Sequence, residues 1–174
     1  MLHLRLTPYK EHMKDVKSFP PIEHKDCTVL IVGTVPSKIS LEKEEYYGNP
    51  NNIFWDIMFR ICNNSNPDYP ILEDYANKKD LLLSNGIALW DVINYCERNT
   101  NLDSDIRNEV LNDVKSFFVE HPYIEVVFFN GKSAEKLFEP FKQSIQQGIK
   151  YIPLESTSPS NRKNPFFKLK QWKD

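Results

Sequence analysis

Val29-Leu-Ile-Val-Gly-Thr-Val-Pro-Ser37 is the stretch on which the fold turns. A short, mostly β-branched apolar run that breaks into Gly-Thr-Val-Pro-Ser predicts a strand buried on both faces, as in parallel sheets, which delivers a tight loop at its carboxyl end. Open α/β sheets bind ligands at that end, so the loop is the first candidate for a site. Working outward, three further segments repeat the pattern. Gly86-Ile-Ala-Leu-Trp90 ends on Asp91, and Val126-Val-Phe-Phe129 ends on Asn130-Gly131. The weaker run Ile149-Lys-Tyr-Ile-Pro-Leu154 passes into Ser156-Thr-Ser-Pro-Ser-Asn161. Four strands that each deliver polar or turn residues at the same end would assemble one site from four separate segments.

Helical spacing fills the intervals. Asn52 to about Ile61 places Ile53, Phe54, Ile57, Met58 and Ile61 on one face, and Leu72 to about Ser84 fits a second helix. A third is expected from Asp103 to about Glu120, with Ile106, Val110, Val114 and Phe117 aligned, and a shorter one from Ser133 to about Phe141. Asn63 to Pro70 reads as a turn-rich connection. The alternation predicts a three-layer α/β/α architecture with a central four-stranded parallel sheet. Residues 1–174 read as one domain, opened by a polar lead-in over residues 1–26 that Pro8 and Pro20-Pro21 interrupt.

Composition narrows the function classes. With 40% hydrophobic and 13% aromatic residues in 174, the chain has the material for a packed core. It has no apolar stretch of the roughly 18–20 residues a membrane span needs. Met1 to Lys17 is broken by Arg, Lys, Glu and Asp and lacks the apolar block of a secretion signal. A cytoplasmic, monomeric protein with no membrane partner is expected. Cys27, Cys62 and Cys96 are widely spaced and form no CxxC pair, so buried reduced thiols are expected. His3, His12, His24 and His121 show no HxH or HExxH spacing, and the first loop lacks both GxGxxG and GxxxxGK[ST]. Neither a metal nor a cofactor is expected. The formal charge of −2 conceals a division: Lys132 to Asp174 holds nine Lys/Arg against four Asp/Glu, a local +5, leaving −7 for residues 1–131. A basic carboxyl-terminal segment on an acidic body suits a surface that faces phosphates.

Tyr46-Tyr-Gly-Asn-Pro-Asn-Asn-Ile-Phe-Trp55 brings amides and flat rings together soon after the first loop. Amides hydrogen-bond nucleobases or position water, and rings stack on bases, so the pairing suggests a pocket for an extruded base. Each residue also has a plainer role. An asparagine before Ile53 suits a helix N-cap, and Phe54 and Trp55 suit a core. Asp91, directly after a buried strand, must find partners or face a cleft. Charges in Cys96-Glu-Arg98 and Asp103-Ser-Asp-Ile-Arg107 are expected to pair with each other. Ser156-Thr-Ser-Pro-Ser160 suits local backbone bonding, or contacts to phosphates.

Taken in order, these pieces resemble the uracil-DNA glycosylase superfamily, most closely its DNA-deoxyinosine (hypoxanthine-DNA) glycosylase branch. The resemblance runs from about Phe19 to Trp172 through Leu30-Ile-Val-Gly-Thr-Val-Pro36, Tyr46-Tyr47, Asn49-Pro-Asn-Asn-Ile-Phe-Trp55, Ile87-Ala-Leu-Trp-Asp-Val92, Cys96-Glu-Arg98, Leu102-Asp103, Phe129-Asn-Gly131 and Ser156-Thr-Ser-Pro159. It implies a repair enzyme that flips a deaminated base, hypoxanthine or uracil, out of DNA and hydrolyses its N-glycosidic bond. The family's first motif falls on Gly33 to Pro36 and continues through Asn52; its second falls on Ser156 to Ser160. Mismatch-type relatives read Gly-x-Asn-Pro-Gly in the first loop, where the Asn places water. Here that position is Val35, followed two residues on by Ser37, and Asn52 is the amide expected to take over. Ser160-Asn161-Arg162 stands where relatives often carry Ala-Asn-Ala, without a large apolar wedge.

The resemblance implies catalytic roles for Asn52 and Ser156, base binding by Thr34, Val35, Phe54 and Asp91, and DNA contacts from Ser158, Ser160, Asn161, Arg162 and Lys163. Backbone N–H groups of Thr34 and Val35 would bind the base oxygen, and Phe54 would stack on the ring. No lysine stands out as a Schiff-base nucleophile, which implies a monofunctional, water-using enzyme. The competing readings are a mismatch-type uracil or thymine glycosylase, a catalytically inactive DNA-binding member of the fold, and a small-molecule nucleotide enzyme.

Overall fold

The computed structural model describes residues 14–63 and 73–173. Its strands are β1 (Lys14–Lys17), β2 (Val29–Gly33), β3 (Ile87–Asp91), β4 (Ile93–Arg98), β5 (Arg107–Leu111), β6 (Val126–Asn130) and β7 (Lys150–Leu154). Its α-helices are α1 (Lys38–Lys43), α2 (Phe54–Cys62), α3 (Tyr75–Ser84), α4 (Val114–Glu120), α5 (Lys132–Phe138) and α6 (Pro165–Lys173).

The apolar runs form a four-stranded parallel sheet of order β3-β2-β6-β7. Period-two alternation sends Leu30, Val32, Val127 and Phe129 to one face, where α4 adds Val114, Phe117 and Phe118 and α5 adds Ala134 and Phe138. Ile31, Leu89 and Leu154 go to the other, against Phe54, Ile57 and Met58 of α2, Leu82 of α3 and Trp172 of α6. The expected three-layer α/β/α architecture follows. Residues leading into β2 run beside β3: Ile22 and Leu89 exchange two backbone hydrogen bonds of 2.9 Å, which cover that edge of the sheet. The same run carries Ser18 to the end of β3.

A second, antiparallel sheet of order β1-β4-β5 has no counterpart in the expected architecture. Its presence corrects the helix expected from Asp103 to Glu120. That stretch is a 3-10 turn at Asp103–Asp105, then β5, then α4. Asp105 takes the N–H groups of Thr100 and Asn99, Asn108 has a left-handed φ of 51°, and the exposed Val110 contributes nothing to a buried helical face. The helix begins only where Asp113 accepts from Ser116 N at 3.1 Å. The other expected helices appear with shifted ends, and α6, unforeseen, starts at Pro165 with Asn164 accepting from Phe166 N at 2.8 Å. Of the connection expected over residues 63–70, all but Asn63 lies outside the described residues, as do Pro8 and Leu72.

Candidate active site

At the carboxyl ends of β2, β3, β6 and β7 the polar termini converge on a cavity of about 440 Å³, within the range of small-molecule sites. On its floor, register pairs Gly33 with Asp91. A Cβ at position 33 would lie 2.3 Å from Asp91 Oδ1 and 2.8 Å from the Tyr47 hydroxyl. Only glycine, with no Cβ, leaves room for both groups to come this close to the strand end. Asp91 is 3% exposed, and its Oδ2 accepts from Ser18 Oγ at 3.1 Å. Burial pushes its carboxyl up to about 7, against the opposing effects of the Ser18 bond and the Arg98 charge. The buried Tyr47 hydroxyl has no hydrogen-bond partner among the described residues, and burial and the Asp91 charge raise its pKa well above the phenol range. A buried orphan polar atom beside a cavity is a place for a ligand or water to bond.

The first loop is pinned at each step. Val92 N donates to Gly33 O at 2.9 Å, Ile93 N donates to Thr34 O at 3.1 Å, and the buried Arg98 guanidinium donates to Pro36 O. Because each peptide is planar and trans, the N–H groups of Thr34 and Val35 lie on the side away from β4. Ser37 Oγ accepts from Ser40 N at 3.2 Å and caps α1. Asn52 lines the cavity, and its Oδ1 accepts from Phe54 N at 3.0 Å at the entry to α2. From one residue before Ile53, the N-cap of α2, it thus satisfies the first N–H of the helix and lines the site as well. A carbonyl oxygen has two lone pairs, so the capping bond leaves one acceptor site as well as the amide N–H groups.

The second loop is locked to β6 by a reciprocal pair: Asn130 Nδ2 donates to Thr157 Oγ1 at 2.9 Å, and Thr157 N donates to Asn130 Oδ1 at 2.8 Å. Ile53 N donates to Thr157 O at 3.3 Å, which joins this loop to the start of α2. Gly131 has φ 102°, and a Cβ there would press on Ser156 Cβ at 3.0 Å. Ser156 Oγ accepts from Ser158 N at 3.2 Å, and the hydroxyls of Ser158 and Ser160 meet at 2.8 Å. From below, the buried Lys168 donates to Asn161 O at 2.8 Å and Ser158 O at 3.4 Å. Burial lowers its pKa.

Of the residues expected from sequence, Thr34, Val35, Asn52, Asp91, Ser156, Ser158, Ser160 and Asn161 line the cavity. Phe54 does not. It is 0% exposed, and Tyr47 stacks on it with ring centroids 4.0 Å apart. The rings bordering the cavity are therefore Tyr46 and Tyr47, and Phe54 supports Tyr47 from the core. Arg162 and Lys163 lie outside the lining, and Lys163 Nζ meets Glu155 Oε1 at 2.5 Å. The pairing expected between Cys96-Glu-Arg98 and Asp103–Arg107 is replaced: Arg98 holds Pro36, and Arg107 donates to the carbonyls of Ser104 and Ile106. Sequence reasoning set Tyr47 among the rings suited to a base pocket without singling it out, and assigned no role to Asn130 or Lys168. A polar residue closing an apolar run marked Asn130, as it marked Asp91, whereas nothing local marks Lys168. Among the described residues, no group of three or more His, Cys, Asp or Glu is placed to hold a metal ion.

A family model for the uracil DNA glycosylase superfamily matches residues 20–174. The chain is 31% identical over 148 residues to a protein of Methanosarcina barkeri named hypoxanthine DNA glycosylase, covering 85% of this chain and 89% of that one. It is 32% identical over 158 residues to a protein of the same name from Methanosarcina acetivorans, covering 90% and 94%. Its fold is similar to the solution NMR structure of a uracil DNA glycosylase candidate from Methanosarcina acetivorans. That match has a TM-score of 0.77 and 30% identity, over 92% of this chain and 95% of that one.

Proposed function

The chain belongs to the uracil DNA glycosylase superfamily, and from that premise we propose that it is a monofunctional DNA glycosylase that flips a deaminated base, hypoxanthine foremost, into the cavity and hydrolyses its N-glycosidic bond. The observation that carries the reading is the convergence, on one cavity at the strand ends, of the Asp91 carboxyl, the Tyr47 hydroxyl and ring, and the Asn52 amide. The name shared by the two curated relatives favours hypoxanthine over uracil.

The departing base takes negative charge and the sugar takes positive charge. Tyr47, backed by Phe54, offers a face for the extruded ring, and the N–H groups of Thr34 and Val35 are donors for its oxygen. Asn52 orients the attacking water. As a neutral amide it is a poor proton acceptor, so stabilisation of the leaving base outweighs general-base catalysis. Ser156 supports the base from the second loop, and Ser158, Ser160 and Asn161 meet the flanking backbone. The protein acts as a monomer in the cytoplasm and requires neither metal nor cofactor.

The test is base release from oligonucleotides that contain hypoxanthine, uracil, a thymine mismatch or normal bases, with alkali used to reveal abasic sites. Strand cleavage from the hypoxanthine substrate after alkali treatment, and none before it, is expected. Asn52→Ala should lower the single-turnover rate by on the order of a hundredfold or more, with stability reduced by only about 0.5–2 kcal/mol for the lost cap. Tight binding by the wild-type protein without release would mark an inactive DNA-binding member, and an early-melting Asn52→Ala with a normal rate would leave Asn52 as a cap alone.

A further inference from the structure

Extruding a nucleotide unstacks its neighbours, and proteins that distort DNA commonly fill such gaps with an apolar wedge. The second loop sets Ser156, Ser158, Pro159, Ser160 and Asn161 at the cavity; its one apolar member there is the compact Pro159 ring, so it offers no long apolar side chain. The other side does. The turn between β4 and β5 carries Leu102, which is 52% exposed and lines the same cavity. β4 leaves the β3 edge of the parallel sheet, whereas the serine-rich loop follows β7 at the opposite edge.

The turn is held by a closed set of hydrogen bonds. Leu102 N donates to Thr100 Oγ1 at 3.1 Å, and Leu102 O accepts from Asp105 N at 3.0 Å. The Asp105 carboxylate accepts from Thr100 N at 2.9 Å, and Asn101 Oδ1 accepts from Lys38 N at 2.9 Å, which ties the turn to α1. The pinned backbone holds a half-exposed isobutyl group at the cavity, an arrangement that gains from burial only when something apolar arrives. Among the described residues, the other strongly exposed apolar side chains, including Phe166 at 82%, do not line the cavity. Arg98, four residues before Leu102, holds the first loop through Pro36 O, so the turn and the candidate catalytic loop share one rigid support.

We propose that Leu102 is the wedge of this enzyme: it enters the base stack from the β3 side and occupies the space that the flipped nucleotide vacates. This rests on the glycosylase reading of the cavity and names the residue that keeps the base extruded. A wedge matters only where there is a stack to fill, so paired and unpaired substrates separate it from a structural role.

Single-turnover base release by the wild type, Leu102→Ala and Leu102→Met would be measured on hypoxanthine in duplex and in single-stranded DNA, with thermal melting of each variant. Leu102→Ala should slow release from duplex by about tenfold, the burial energy of one leucine side chain expressed as a rate. Release from the single strand should stay within about twofold, and Leu102→Met should restore most of the duplex rate. Equal losses on both substrates, or no loss on duplex, would overturn the proposal. A second readout needs no chemistry: 2-aminopurine beside the lesion brightens when its neighbour leaves the stack, and Leu102→Ala should blunt that rise. A wild type that brightens the probe but releases no base would refute the glycosylase reading while leaving the probe to decide the wedge. A probe response equal in wild type and Leu102→Ala would refute the wedge itself.

Discussion

Asp91 concentrates the electrostatics of the cavity into one group. Its carboxyl, raised by burial to about 7, keeps its proton more tightly folded than unfolded, where an aspartate titrates near 3.9. The sign follows from linkage: the stabilisation is complete below about pH 4 and is lost as pH rises toward 7. Asp91→Asn, which keeps shape and the capacity to donate, should therefore abolish the fall in stability between pH 4 and 7 and leave the protein more resistant to denaturant than wild type at pH 8. The chemistry should follow the same proton. The neutral acid can donate to the base oxygen, whereas the anion opposes a departing anionic base, so wild-type base release should decline as pH rises past about 7 and the variant's profile should lack that step. A step retained by Asp91→Asn would assign the titration to another group. A carboxylate closing an apolar run made Asp91 legible in the sequence. Its partner Ser18, 73 residues earlier, was not, because no local pattern couples them.

Helix α6 shows how an element outside the site shapes it. Its Lys168 is buried and supplies donors to two carbonyls of the second loop. Lys168→Met keeps the stem and removes those donors. The expected outcome is a stability loss of about 1–3 kcal/mol for the hydrogen bonds removed, Ser158 O keeping its bond from Asn161 N while Asn161 O loses its 2.8 Å donor, together with slower base release as the loop loses its shape; melting and single-turnover rates on the same preparations would check both. A normal rate in a destabilised variant would show that the loop keeps its form without α6. The element that sequence misassigned is instructive in the opposite sense. Ile106, Val110, Val114 and Phe117 have helical spacing, yet only the last two stand on a helix, because β4 offered a free edge that captured residues 107–111. Period alone cannot register a pairing partner that lies elsewhere in the chain.

Across the whole molecule the charge is divided, with the basic segment carrying the second loop and α6. The structure assigns its members different work: Lys163 is held by Glu155, and Lys168 is buried beneath the loop, while Arg162 is exposed. Arg162→Ala should weaken binding to damaged and undamaged duplexes alike and flatten the dependence of log K on log salt by about 0.9, whereas Lys163→Ala should change it less. Anisotropy titrations over a salt series would check this, and an unchanged slope for Arg162→Ala would place the phosphate contacts elsewhere. By itself the sequence determined the four parallel strands, their polar ends and hence where a site must form, since buried parallel strands are written as continuous apolar runs broken by turn residues. Only the tertiary structure decided that Tyr47 rather than Phe54 faces the cavity, that Asn130 grips Thr157, and that β1, β4 and β5 make a second sheet. Those outcomes depend on which distant surfaces meet once the core packs, and contacts of that range leave no periodicity in the chain.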